Sequence, residues 1–141
     1  MNFEENPGLL IKRLSHAMDV EMGRRLRAHG LTESQWRILM VLWKGEGRSQ
    51  TELQERLGLE RATITGLLQR MTAQGWVLRR SDPHDKRVLR VYLTDRSREL
   101  APIAARLVDQ ITTQVLEGFS ADERQFLHRL LLRALQNMEG Q

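Results

Sequence analysis

The stretch "SQTELQERLGLERATITGLLQRMTAQGWVLRR", residues 49–80, decides the fold of this chain. Ser49 and Glu52 have the three-residue spacing of a capping box, which predicts that a short helix begins here. Gly58 can take the left-handed conformation that ends this helix. A second helix is predicted after it, ended by Gly75, with an apolar face made of Ile64, Leu67, Leu68 and Met71. A short helix, a glycine turn and a second helix in this order predict a helix-turn-helix.

Two short strands follow, "WVLRRS" at 76–81 and "VLRVYL" at 88–93, around the turn "DPHDKR". Apolar and polar residues alternate in the second strand, as expected where one face of a strand is buried. A hairpin, or wing, directly after the second helix predicts a winged helix-turn-helix. We assign it to residues 31–93, with the helix-turn-helix at about 49–75 and the wing at about 76–93.

Longer amphipathic helices are predicted on both sides of the winged helix, at 7–30 and 95–138. Their apolar residues recur at three- and four-residue steps, and a capping box at Ser120 and Glu123 divides the second segment. The predicted fold is therefore mainly α with a small antiparallel β-wing, in a single domain over 1–141. A small winged helix cannot cover these extra apolar stripes alone, which indicates an association surface.

Composition narrows the class of protein. The 141 residues carry a net charge of +4 and no cysteine, which excludes disulfides, thiolate metal sites and thiol redox switches. The first residues lack the basic region and long apolar stretch of a signal peptide. The longest apolar run, "ILMVLW" at 38–43, is far shorter than the ~20 residues of a membrane span. We therefore expect a soluble, cytoplasmic protein that does not enter membranes.

The positive charge is concentrated in one block of the chain. Residues 61–90 hold seven lysines and arginines against two acids, Asp82 and Asp85, so this block carries more than the whole surplus of +4. A basic patch on one motif is expected where a protein contacts phosphates. A merely solvated surface is the alternative interpretation of the charge alone.

The face of the second helix opposite its apolar stripe carries residue types that read DNA. Small residues let a helix approach base edges closely, glutamine can pair with adenine, alanine can meet a thymine methyl, and arginines neutralise phosphates. The alternative is an ordinary surface helix. The candidate contacts on this recognition helix are Arg61, Ala62, Thr63, Thr65, Gly66, Gln69 and Arg70.

The wing supplies a second group of candidate contacts: Arg79, Arg80, Asp85, Lys86, Arg87 and Arg90. The planar guanidinium of Arg87 suits phosphates or a narrow minor groove. Asp85, two residues away, would repel DNA, so we expect it to pair with Arg87 and orient it. The alternative is a surface ion pair that contributes about 0–1 kcal/mol.

Three stretches together resemble the MarR family of bacterial transcriptional regulators, in family order and spacing: "LTESQWRILMVLW", the stretch 49–80 and "DPHDKRVLRVYLT". The resemblance covers about residues 7–138 and includes the Asp-x-Arg wing motif, here Asp85 and Arg87. It implies an obligate homodimer in which the two terminal helical segments are dimerisation helices that intertwine. Each subunit would place one winged helix on half of a palindrome in double-stranded DNA.

The resemblance also implies a repressor that releases DNA when a small, often aromatic or phenolic, anion binds. His16, Trp36 and Met40 could border an effector pocket, although core packing is the more common role for each. Many relatives carry arginine where this chain has Gly66, so a base contact common in the family is absent here. That departure shifts the expected base reading toward the rest of the helix and the wing.

An enzyme has little support in this sequence. The four histidines show no metal-ligand spacing, and no phosphate-binding glycine loop occurs. We expect no catalytic site, no metal and no cofactor. The remaining alternative is a winged helix used as a protein-interaction module without DNA binding. Such a module would show no DNA affinity that falls steeply with salt, whereas a DNA-binding regulator would.

Overall fold

A computed structural model describes residues 2–140, and within them it has six α-helices and three short strands. The helices are α1 (Pro7–Leu26), α2 (Glu33–Lys44), α3 (Gln50–Leu57), α4 (Arg61–Ala73), α5 (Asp95–Val115) and α6 (Ala121–Glu139). The strands are β1 (Arg48–Ser49), β2 (Val77–Ser81) and β3 (Leu89–Leu93). Single turns of 3₁₀ helix lie at Phe3–Glu5 and Arg27–His29. The predicted fold class, mainly α with a small antiparallel wing, is confirmed.

Capping side chains explain where two of the helices begin. Thr32 and Gln35 form a complete capping box at α2, and Ser120 and Glu123 form another at α6. The backbone and side-chain hydrogen bonds of Ser120 hold the pKa of the Glu123 carboxyl below its usual range. Gly58 ends α3 with φ +63°, the left-handed conformation expected from the sequence.

The capping box predicted for α3 is only half formed. Ser49 Oγ accepts from the backbone N–H of Glu52 at 3.1 Å. The Glu52 carboxylate turns instead toward two guanidinium groups, 3.6 Å from Arg48 and 4.0 Å from Arg90. The prediction of a reciprocal box was wrong because attraction to two charged groups outweighs one hydrogen bond from a neutral N–H.

The chain divides into two compact units, one up to Val108 and the other from Asp109. In the first unit the apolar stripe predicted for α4 is buried, together with side chains from α2, α3 and the sheet. Trp43 Nε1 donates to the Ser97 carbonyl at 3.1 Å, which ties α2 to the first turn of α5. The largest fully buried apolar side chains here are Leu26, Leu31, Ile38, Leu39, Leu42, Leu53, Ile64, Leu68, Met71, Val77 and Val91.

The sheet has the order β1-β3-β2, and both pairs are antiparallel. β2 and β3 form the predicted wing, in a register that places Ser81 opposite Leu89. β1 extends the sheet on the other side and pairs Arg48 with Val91. This strand was not predicted, because two residues carry no alternation that could be recognised.

Most of α1 and all of α6 present apolar side chains to solvent. On α1, Leu10 and Leu14 are exposed, whereas Met22 and Leu26 near its end are buried. In the second unit, α6 has no buried residue. Its large exposed apolar residues are Phe126, Leu130, Leu131, Leu132, Leu135 and Met138.

The functional division of the chain stays a prediction. α1 ends at Leu26, and a 3₁₀ turn then leads to Gly30, which has φ +80° and is the last residue of the predicted segment 7–30. The assignment of 31–93 to DNA binding and of 7–30 and 95–138 to dimerisation depends on function, which helix boundaries do not test.

Candidate nucleic-acid interface

Helix α4 separates its apolar and polar residues onto two faces. Ile64, Leu67, Leu68 and Met71 are buried, as the sequence predicted. The predicted contacts Arg61, Ala62, Thr63, Gln69 and Arg70 are exposed, and Thr65 and Gly66 are half-buried. The structure therefore brings all seven predicted recognition-helix residues to the solvent side of α4 or to its edge.

The hydroxyl of Thr65 is already engaged within the protein. It donates to the carbonyl of Arg61 at 2.8 Å and accepts from Gln50 Nε2 at 2.7 Å. The second bond joins the first residue of α3 to α4 and so helps to set the angle between these helices. Thr65 was predicted as a DNA contact, and its geometry favours a role in holding α4.

Asp82 and Asp85 organise the tip of the wing. Asp82 Oδ1 accepts from the backbone N–H groups of His84 at 2.7 Å and of Asp85 at 3.2 Å. Asp85 accepts from the backbone N–H of Arg87 at 3.0 Å, from its Nε at 3.1 Å and from its terminal nitrogen at 3.3 Å. These contacts from Arg87 hold the pKa of the Asp85 carboxyl below its usual range. The predicted pairing of Asp85 with Arg87 is confirmed.

Arg87 is held in direction yet remains open to solvent. Its side chain is 90% exposed although three hydrogen bonds join the residue to Asp85. The neighbouring Lys86 is exposed as well. The wing tip thus presents one oriented guanidinium and one ammonium group, both available to an external anion.

Arg90 lies on β3 close to the turn of the wing, where its guanidinium has partners inside the protein. Nε donates to Asp82 Oδ2 at 2.5 Å, and a terminal nitrogen donates to the Gly47 carbonyl at 2.9 Å. The same nitrogen lies 4.0 Å from Glu52. The hydrogen bond to Arg90 is the main cause that lowers the pKa of Asp82. Arg90 was predicted as a DNA contact, but this geometry makes it a brace between the wing and the start of α3.

Arg79 and Arg80 point to opposite faces of β2, because successive strand residues alternate. The guanidinium of Arg80 lies 5.7 Å from the ring centroid of Tyr92, its diagonal neighbour on β3, and the residue is exposed. Arg79 is half-buried. Both were predicted as DNA contacts, but only Arg80 is exposed, on the face of the wing that it shares with Tyr92.

A groove of about 640 Å³ lies between the start of α3, the start of α4 and the wing. Arg61 and Arg87 line it from two sides, and Thr51 and Gln54 of α3 complete its wall. These two α3 residues were not among the predicted DNA contacts. The N-cap at Ser49 could have indicated them, because it marks the start of α3 and so the residues of its first turns.

A second groove, of about 360 Å³, lies at the other edge of α4, against the start of α2. Thr63 and Arg70 of α4 line it together with Thr32 and Ser34 of α2. Hydroxyl groups and guanidinium groups thus flank α4 on both sides, which is the chemistry that binds phosphates.

Comparison with known proteins identifies this architecture. Residues 29–88 match a family model described as the MarR family. The chain is 33% identical over 106 residues to the homoprotocatechuate degradative operon repressor of Escherichia coli, covering 75% of this chain and 72% of that protein. The chain belongs to the MarR family.

A second relative of this MarR-family chain is the HTH-type transcriptional regulator TtmR of Methylorubrum extorquens (strain PA1). It is 37% identical over 113 residues, which cover 80% of this chain but only 57% of TtmR. The chain therefore spans little more than half the length of that relative.

Solved structures agree with the family assignment. MarR from Escherichia coli in its apo form superimposes with a TM-score of 0.86 at 27% identity, covering 92% of this chain and 96% of that one. A mutant of that MarR complexed with operator DNA gives a TM-score of 0.73 at 26% identity, covering 91% and 92%. This MarR-family chain is a DNA-binding transcriptional regulator, and its relatives are regulators rather than enzymes.

The residues considered for an effector site of this regulator have different surroundings. Trp36 is buried and packs edge-on against Trp43, with ring centroids 5.5 Å apart. His16 and Met40 are exposed, so the core-packing interpretation was wrong for these two. Both lie on helices that carry exposed apolar residues. The spacing of apolar residues in a sequence cannot show whether they are buried within the chain or left exposed.

Two features are absent from residues 2–140. No helix in that range is both long enough and apolar enough to span a lipid bilayer. Over the same residues, no three His, Cys, Asp or Glu side chains cluster as metal ligands would.

Proposed function

We propose that this MarR-family regulator binds a palindromic operator as a homodimer, with α4 in the major groove and the wing along the adjoining backbone or minor groove. One observation carries the proposal: α4 exposes Gln69 on the face between Arg61 and Arg70, which lie at its two edges, and a polar groove joins the Arg61 edge to Arg87 on the wing. A helix with exposed hydrogen-bonding groups between two cationic edges suits duplex DNA.

On α4, the two arginines neutralise phosphates, Gln69 reads adenine, and Ala62 and Thr63 face base edges or sugar. Gly66 allows close approach of the helix. These roles follow from the side-chain chemistry and from the exposure of this face.

On the wing, Lys86 and Arg87 contact DNA at the tip, and Arg80 does so farther along β2. Asp85 orients Arg87, as its hydrogen bonds suggest. Arg90 acts by holding the wing, because its guanidinium already has partners within the protein.

Exposed apolar side chains support the homodimer. Leu10 and Leu14 on α1 are each about 45% exposed, and Leu135 on α6 is 50% exposed. Apolar faces of this extent are unfavourable in water and are commonly covered by a second copy of the chain. A two-fold dimer presents two α4 helices, which is why a palindromic operator is proposed.

Repression and release by a small aromatic anion belong to the same proposal. One relative is named as the repressor of a degradative operon, and we extend repression to this chain from that name and the shared family. An anion that binds near the dimerisation helices would release DNA by favouring a spacing of the two α4 helices that does not match the operator. A regulator of this kind acts in the cytoplasm, where bacterial DNA lies.

Salt dependence of operator binding tests the proposal. Footprinting on DNA that flanks the encoding gene yields a duplex, and fluorescence anisotropy then gives its Kd between about 50 and 200 mM salt. We expect the affinity to fall by about 10³-fold or more over that range, because phosphate contacts release counterions. A scrambled duplex should bind more weakly at every salt concentration.

A winged helix that binds only proteins is the second candidate. It shares this fold and would give no protected stretch in the footprint. Equal binding of operator and scrambled duplex, or affinity independent of salt, would favour this candidate and reject the proposed function.

A further inference from the structure

The C-terminal end of α4 is held by the start of α5 through its main chain. Gln74 caps α4, and Gly75 follows with φ +80°. Thr94 Oγ1 donates to the Gly75 carbonyl at 2.6 Å, and Arg96 donates from a terminal nitrogen to the Gln74 carbonyl. The carbonyl of the C-cap residue Gln74 has no partner within the helix, so Arg96 satisfies a group that α4 leaves open, and Thr94 holds the turn that follows.

Arg96 also covers the residue that follows this turn. Its guanidinium carbon lies 3.9 Å from the centroid of the Trp76 indole ring, close enough for a strong cation–π interaction. Trp76 is buried, with 2% of its surface exposed, whereas Arg96 is exposed. Arg96 thus joins the surface of α5 to a core residue that follows the turn after α4.

The position of Arg96 is explained by α4 and not by its own helix. It is the second residue of α5, and a cation near a helix N-terminus is unfavourable because the helix dipole is positive there. The same guanidinium lies at the C-terminal end of α4, where the dipole is negative and a cation is favourable. The charge of Arg96 is thus unfavourable for the dipole of α5 and favourable for the dipole of α4. This placement indicates a contact between the two helices.

Helix α2 holds the same turn from another direction. Gln35 is buried, with 2% of its surface exposed, and its Nε2 donates to Gln74 Oε1 at 2.8 Å. Gln74 is therefore held by its side chain from α2 and by its carbonyl from α5. Contacts at Gln74 and Trp76 therefore help to fix the orientation of α4 relative to α2 and α5.

We propose that Arg96 is a positioning residue for DNA binding, which acts through Trp76 and Gln74 to set the angle at which α4 meets the duplex. The inference rests on the proposed function, in which α4 reads the operator. Arg96 itself makes no contact with DNA in this arrangement. Its loss leaves α4 folded but less well aligned, so affinity for the operator falls while the chain remains folded and dimeric.

The first experiment compares Arg96→Ala with Arg98→Ala on the operator duplex. Arg98 lies two residues farther along α5 and forms ion pairs with Glu46 at 3.0 Å and with Asp95 at 3.4 Å. Its loss therefore removes the same charge without removing a contact to α4. We expect Arg96→Ala to weaken binding about 5- to 10-fold and Arg98→Ala to stay within about twofold. Thermal unfolding and light scattering should show both variants folded and in the same assembly as the unchanged protein.

The second measurement excludes a direct phosphate contact by Arg96. A lost phosphate contact lowers the slope of log affinity against log salt by about 1, whereas a positioning residue leaves the slope unchanged. In a double-mutant cycle with Trp76→Leu, the two losses should be strongly non-additive, because Arg96 acts through the ring. Trp76→Met, which also lacks an aromatic ring, serves the same cycle if the leucine variant does not fold.

The outcomes separate this inference from the proposed function. If the unchanged protein shows no preference for the operator, the proposed function fails and this inference fails with it. If that protein binds its operator and Arg96→Ala binds equally well, only the positioning role is overturned. A reduced salt slope or additive losses in the cycle would also overturn it.

Discussion

Asp82 and Arg90 meet diagonally across the two strands of the wing, where Arg90 Nε donates to Asp82 Oδ2 at 2.5 Å. Arg90 also reaches the Gly47 carbonyl in the loop before β1. Asp82 also accepts hydrogen bonds from two backbone N–H groups at the tip. This one pair therefore connects the tip of the wing to the loop before β1 and, through Glu52, to the start of α3.

Replacing Asp82 by asparagine should weaken operator binding, although the change removes a negative charge from a DNA-facing loop. Electrostatics alone predicts tighter binding, because repulsion of phosphates is relieved. Loss of the charged partner of Arg90 predicts a less ordered wing and weaker binding, by about 3- to 10-fold. Anisotropy titrations show whether the affinity rises or falls. Asp95→Asn is the control, because Asp95 is 97% exposed and pairs only with Arg98 in the described structure. Equal or higher affinity of Asp82→Asn would contradict a bracing role.

Arg87→Ala should lower operator affinity by about 5- to 100-fold without unfolding the protein. Its guanidinium is oriented by Asp85 and is otherwise exposed, so its loss removes a contact without leaving a cavity. The matched control is Lys86→Ala, which removes the same charge one residue away. A larger loss from Arg87 than from Lys86 shows that orientation matters beyond charge, and equal losses would argue against it.

The predictable part of the fold came from short-range signals. Ile64, Leu67, Leu68 and Met71 recur at helical spacing, and their burial could be expected from that spacing alone. The pairing of Asp85 with Arg87 was also expected, because the two residues are neighbours within one turn. Such features need no knowledge of which segments meet in space.

The roles of Arg90 and Thr65 could not be read in the same way. Arg90 bonds to Gly47, far away along the chain, and Thr65 accepts from Gln50 on another helix. The contact of Arg96 with Trp76 is of the same kind. For Arg90 one usable signal existed, since the register of the hairpin makes Asp82 its diagonal neighbour. A basic residue near a DNA-facing motif can therefore be a brace rather than a contact.

Gly66→Ala should raise stability and lower operator affinity. Gly66 lies inside α4, and a Cβ added there would meet no other atom within 4 Å, so the protein interior gives no reason for glycine. Alanine is favoured over glycine in a helix by roughly 0.8–1.0 kcal/mol, which should appear as a higher Tm. The added methyl would separate α4 from a base edge and weaken binding.

Gly23→Ala is the matched control for this change. Gly23 also lies within a helix, and its added Cβ would lie at an ordinary distance of 3.6 Å from Glu33. We expect Gly23→Ala to leave operator affinity unchanged. A Gly66→Ala protein that binds its operator as tightly as the unchanged protein would show that close approach at this position is not needed.

Glu21 should make stability depend on pH in the acid range. Hydrogen bonds from Arg24 and then Arg25 lower the pKa of its carboxyl from 4.5 to about 2. Because the pKa of Glu21 is lower in the folded than in the unfolded state, its ionised carboxylate stabilises the folded protein. This stabilisation is complete above about pH 4.5 and is lost as the pH falls toward 2. Urea unfolding should show Glu21→Gln less stable than the unchanged protein at pH 6, with the difference vanishing near pH 2. A difference that persists at the lowest pH would point to packing and not to charge.

Light scattering should give twice the chain mass of 16.4 kDa at micromolar concentration. Leu135→Glu should reduce this toward a single chain mass, because a buried charge without a partner is costly in an apolar interface. Gln136→Glu adds the same charge at the next position of α6 and should leave the dimer intact. A folded monomer in the unchanged protein would contradict the proposed assembly.

The absence of any buried residue in α6 has a consequence for how much regulator a cell keeps active. In the proposed dimer the apolar neighbours of α6 lie on the other chain, so mass action stabilises this helix and dilution alone should melt it. At low abundance the concentration of active dimer would then rise more steeply than the amount of chain that is synthesised. A small drop in synthesis would therefore remove a disproportionate share of the active dimer.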